Sequence, residues 1–121
     1  MYRITCMLIA LVTGVYGVAY LLAPALVASL YLNEVNPGTL LLGRYFGVTL
    51  LFIAIACWLL KEVTDSAVRR ALAIAGIVNG VAGLIVSLVF TFNGLMTPFG
   101  WSAVIIYGSA TVLWMLCRTP D

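Results

Sequence analysis

Histidine is absent from the 121 residues, and only four side chains are acidic. Without imidazole there is no bis-histidine haem site, no Ser-His-Asp triad and no Cys-His pair. Three cysteines without a histidine give no zinc pattern either. No glycine-rich phosphate loop follows a strand-like run. Charged residues make up 8% of the chain, where a soluble domain carries about 25%. The net charge of +2 is thinly spread, which excludes a nucleic-acid surface. With no acid–base pair in view, the chain is read as not an enzyme, with no cofactor and no metal.

What the chain has in quantity is hydrocarbon. Hydrophobic residues account for 64% of it, with a mean hydropathy of +1.19. A soluble fold this small could not hide that much apolar surface. The expected fold is therefore an all-α membrane protein, a four-helix transmembrane bundle forming one domain over 1–121. The charges cluster at Arg3, at Glu34, at Lys61 to Arg70 and at Arg118 to Asp121. The apolar runs between them predict spans at about 4–23, 39–60, 67–92 and 99–117. The first run is expected to persist as a span, since one arginine is a poor basic region for a signal peptide.

Four alternating spans put Arg3, Lys61, Arg69, Arg70 and Arg118 on one side. The loops "NEVNPGT" and "NGLMTP" on the other side contain no lysine or arginine. The positive-inside rule then predicts cytoplasmic N and C termini. Cys6, Cys57 and Cys117 all fall near that cytoplasmic side. They read as buried thiols, with palmitoylation of Cys6 or Cys117 as the alternative.

Local signals refine the spans. Pro24 either kinks the first helix or starts a short segment, "PALVASLYL", near the outer interface. "NPG" at 36–38 and Asn93-Gly94 mark turns, and Pro98 suits the first turn of the last span. Thr64 or Asp65 is positioned to cap the third span. Ala10, Gly14 and Gly17 give the first span a small face. Gly76, Gly80 and Gly83 give the third span another, which is expected to point into the bundle or at a partner chain.

Arg44 stands alone, outside every charge cluster, about five residues inside the second span and so about 8 Å below the outer hydrocarbon boundary. One reading is that it snorkels to the headgroups. The other is that it faces the bundle, because a charge in hydrocarbon usually points at a partner or a cavity. Tyr16, Tyr20, Ser87 and Tyr107 share its depth, and Asn79 lies nearer the midplane. Glu34 is the sole acid on that side. Arg44 among tyrosines in an apolar wall would suit a polar head on a greasy tail, such as a lipid, an isoprenoid or a sterol-like molecule. No span holds an acid, which argues against a proton-coupled carrier with a buried carboxylate. The small multidrug transporters match in length and span number alone, since the first-span glutamate they need is missing.

"LLGRYFGVTLLFIAIACWLL" followed by "TDSAVRRALAIAGIVNGVAGLI" resembles the core of small bacterial four-span proteins of unknown function with a DoxX-like arrangement. The residues carrying the likeness are Arg44, Phe46, Gly47, Trp58, Asp65, Arg69, Arg70, Ala71 and Leu72. More remotely, Arg44, Phe46, Gly47 and Thr49 are similar to a motif of the ergosterol-biosynthesis scaffold family, which tethers enzymes without catalysing. Neither resemblance supplies an active site. The leading expectation is a non-catalytic membrane scaffold or accessory subunit that binds a partner membrane protein or a second copy of itself. The alternative is a lipid- or isoprenoid-binding protein, or small transporter, using a pocket of Arg44, Tyr16, Tyr20, Asn79, Ser87 and Tyr107.

Overall fold

The computed structural model describes residues 1–117. Arg118 and Asp121, used above in reading charge, lie outside the described residues. The order is α1 (Tyr2–Leu22), α2 (Pro24–Tyr31), α3 (Pro37–Leu60), α4 (Ser66–Phe92) and α5 (Gly100–Leu116). Apart from a bridge pairing Leu32 with Met96, the described residues form no β structure. Helices α1, α3 and α4 are each long and apolar enough to cross a membrane, and α5, at 17 residues, is shorter. The chain is thus an integral membrane protein built on a helical bundle, and the four expected spans fall on α1, α3, α4 and α5.

The helix boundaries follow from side-chain chemistry. Pro24 has no N–H, so α1 stops at Leu22 and Ala23 turns the chain (φ −136, ψ 60) into α2. Asn36 caps α3, its side-chain oxygen accepting from Thr39 N at 3.0 Å, with Pro37 in the first turn. Asp65, and not Thr64, caps α4 by accepting from Ala67 N at 2.8 Å and Val68 N at 3.2 Å. Between α4 and α5, Gly94 adopts φ +85, a conformation that glycine enters without a Cβ penalty. Pro98 sits in a tight turn before α5, where Gly100 N reaches Thr97 O at 2.8 Å and Trp101 N reaches Pro98 O at 3.2 Å.

The helices pack as two pairs. α1 lies on α3, and α4 lies on α5. The first pair crosses at Gly17 and Gly47, where a Cβ added to Gly47 would stand 2.7 Å from the Gly17 carbonyl oxygen. Backbone-to-backbone approach of this kind needs glycine on both helices. In the second pair, Trp114 covers Gly76, Thr111 covers Gly80 and Tyr107 covers Gly83. The small face of α4 therefore points into the bundle, filled by α5.

The two pairs meet at both ends. At the N-terminal end Tyr2, Cys6, Cys57, Ala73 and Trp114 form a buried cluster. There the Tyr2 hydroxyl donates to Leu60 O at 2.9 Å, its ring meets Trp114 edge-on at 6.5 Å, and the Arg69 guanidinium lies 4.6 Å above it. At the other end α2 and the α4–α5 turn close the bundle, with Thr97 N donating to Tyr31 O at 2.7 Å and Asn33 N to Leu95 O at 3.2 Å. Between these seals the α3 and α4 backbones stay apart, although the 61–65 loop joins them directly.

Candidate functional site

Two helix pairs that touch at their ends and part in the middle must enclose space. They enclose a cavity of about 720 Å³, lined from all five helices. Val12, Leu42, Phe46, Leu50, Ile53 and Ile106 supply much of its apolar wall. Among its lining residues there is no Asp, Glu, Lys or Arg. α3 and α4 both line it, and away from the cluster that joins Cys57 to Ala73 their backbones stay apart on that side.

Polar groups enter the cavity at two levels. Near α2, the Tyr16 and Tyr31 hydroxyls are 2.7 Å apart, and the Tyr31 hydroxyl is 3.1 Å from Ser102 Oγ. Ser102 Oγ donates to Phe99 O at 2.7 Å, which commits its proton. Ser102 must then accept from Tyr31, and Tyr31 must accept from Tyr16. This ordered chain holds α2 against α1 and α5, and it leaves little capacity for a guest. Tyr20 packs on Phe46, with ring centroids 5.1 Å apart, and Tyr107 lies on Gly83.

Asn79 occupies the second level. It is the central residue of α4, thirteen residues from Ser66 and thirteen from Phe92, and so about 20 Å from either helix end. It lines the cavity, as does Ser87. Among the described residues, no group is hydrogen-bonded to the side chains of Asn79, Ser87, Tyr20 or Tyr107. Of the six residues expected to form a pocket, the structure brings Tyr16, Tyr20, Asn79, Ser87 and Tyr107 to one cavity.

Arg44 is elsewhere. At 100° per residue it lies roughly 100–160° round α3 from Gly43, Phe46 and Leu50, which face the cavity. Its Nη1 donates to the Leu21 carbonyl oxygen at 3.3 Å. That carbonyl belongs to the last turn of α1, which Pro24 has cut short. The guanidinium therefore satisfies an orphan acceptor and places positive charge at the negative end of the helix dipole. Glu34 is exposed and makes no ion pair among the described residues.

Among the contributors that sequence reasoning passed over are Tyr31 and Phe46, which line the cavity, and Ser102, which bonds Tyr31 without lining it. Tyr31 carried a signal, an aromatic residue closing a short apolar segment, but its inward direction depends on how α2 folds back. The charged residues at the N-terminal end form a separate surface. Arg3 Nε donates to Glu62 Oε1 at 2.7 Å, which holds the Glu62 carboxyl below its ordinary value. Lys61 Nζ stands 4.2 Å above the Trp58 ring. Comparison with family models, with curated proteins and with solved structures finds no match to this chain.

Proposed function

We propose that the protein is a non-catalytic membrane protein that binds one largely apolar molecule, lipid- or isoprenoid-like, in the cavity between its two helix pairs. The observation carrying this reading is the cavity itself: about 720 Å³, apolar-walled, without a charged lining residue, and flanked by α3 and α4 backbones that stay apart. Ligand sites typically enclose about 300–1,000 Å³ with mostly apolar walls and a few convergent polar groups. A guest dissolved in the bilayer would enter sideways between α3 and α4, while α2 and the Tyr2 cluster keep the two ends shut. The same arrangement serves a binding protein or a small transporter that passes the molecule on.

In this reading α5 is the fourth crossing, both termini are cytoplasmic, α2 lies at the outer surface and the membrane is a bacterial inner membrane. The support for the orientation is the basic cluster of Arg3, Lys61, Arg69 and Arg70 at the N-terminal end, against no lysine or arginine in the loops at the α2 end, and the bacterial membrane rests on the resemblance to small bacterial four-span proteins. The scaffold reading rested on Gly76, Gly80 and Gly83 as a partner-binding face. That face is occupied by Trp114, Thr111 and Tyr107 of the same chain, so the cavity is the better-supported site.

Native mass spectrometry of gently extracted protein tests the proposal. Wild type should carry one lipid-mass adduct. Ala82→Trp, which fills the cavity from α4, should lose it, and Ile105→Trp, on the exposed side of α5, should keep it. Wild type without an adduct, or equal retention by both variants, would count against the proposal.

A further inference from the structure

We infer that the guest carries an uncharged hydrogen-bonding group, a hydroxyl or a carbonyl, and that Asn79 is the residue that reads it at mid-membrane. This rests on the cavity being the binding site. An amide in hydrocarbon without a partner is unfavourable, and nowhere more so than at the centre of a spanning helix. Asn79 is that central residue of α4, and no described residue answers its carboxamide. Its neighbours on the cavity side, Ala82, Gly83 and Val86, offer no side-chain donor or acceptor. Asn79 is exposed and lines the cavity, so the cavity's occupant is in place to supply the partner.

The occupant's polar group is uncharged because nothing in the cavity would hold a charge. The lining contains no ionisable acid or base of the usual kind, and the nearest intramembrane cation, Arg44, faces the other side of α3. A charge carried to that depth without a counter-charge is strongly disfavoured. Carboxamides donate and accept, so a hydroxyl or a carbonyl is answered equally well. The protons of the Tyr16, Tyr31 and Ser102 hydroxyls at the α2 end are already committed, and of the lining side chains without a partner, Asn79, Ser87, Tyr20 and Tyr107, Asn79 alone is the middle residue of its helix.

The test uses two photoreactive probes of one chain length, a diazirine-bearing hexadecanol and its hexadecyl phosphate counterpart, with the full-length protein in phospholipid nanodiscs. The alcohol should label cavity residues of wild type and the phosphate should not. Alcohol labelling at matched subsaturating probe should fall about five- to tenfold in Asn79→Leu, the loss one neutral hydrogen bond carries, and recover in Asn79→Gln. Should Asn79→Leu fail to fold, Asn79→Ala is read in its place and the same loss is expected. Cavity labelling by the phosphate as strong as by the alcohol, or alcohol labelling unchanged without Asn79, overturns this inference and leaves the cavity's role standing. Labelling by both probes confined to the lipid-facing surface overturns the binding proposal as well.

Discussion

The Gly17–Gly47 crossing can be probed with one added methyl group. In Gly47→Ala the new Cβ would stand 2.7 Å from Gly17 O, 3.0 Å from Leu21 N and 3.0 Å from Tyr20 Cβ. Ordinary contact begins at 3.4 Å, so α1 and α3 must separate by about 0.7 Å. Two of the three atoms are backbone, so no side-chain rotation relieves the clash. Overpacking of this kind costs about 1–3 kcal/mol, from which alanine's helix preference returns at most about 1 kcal/mol. Gly108→Ala is the matched control, because its Cβ would meet nothing nearer than Leu84 Cδ1 at 4.0 Å. That variant should be neutral or slightly stabilised. Reversible unfolding in mixed detergent micelles should thus separate the two variants by about 2 kcal/mol. If Gly47→Ala unfolds together with Gly108→Ala, the helices do not cross at Gly47 and the pairing that creates the cavity is wrong.

Arg44→Leu should lower stability by about 1 kcal/mol, the worth of one hydrogen bond to an otherwise orphan carbonyl, while lipid retention in native mass spectra stays unchanged. Gly80→Leu should destabilise the single chain, because the new side chain meets Thr111 of α5, and micellar unfolding should show this whether or not any complex is present. The Arg3–Glu62 pair has a pH signature. Its folded carboxyl lies below the ordinary 4.5, so its contribution is present above that value and is lost as pH falls through the folded pKa. Both side chains are more than half exposed, so the effect is small and screened by salt. Thermal melts between pH ~5 and ~3 should show it in wild type and lack it in Arg3→Gln.

The spans were legible because their information is local. Four clusters of charge bracket four apolar runs, and Pro24, Asn36-Pro37 and Asp65 announce where helices stop and start. The glycine face of α4 was legible as a face, though which helix fills it was not. Partner choice is non-local: nothing in "GRYFGV" says that Gly47 meets Gly17, or that α3 turns from α4 despite the short loop joining them. Five cavity residues were picked from depth alone, and depth is readable from residue count. Arg44 was legible as a residue needing a partner, but the partner itself was not. Side chains at its depth are countable from the sequence, whereas its partner is the main-chain oxygen of Leu21. Pro24 held the clue, since a proline that ends a helix in hydrocarbon leaves carbonyls needing a donor.

The central claim is that the space between α3 and α4 is a binding site. A crystal structure of the protein grown from a lipidic mesophase measures it directly. The account predicts elongated density entering between α3 and α4, bounded by Phe46 and Tyr107, with one end within hydrogen-bonding reach of Asn79. Density showing α3 packed against α4, with the cavity gone and the Asn79 amide bonded to another helix, would contradict it.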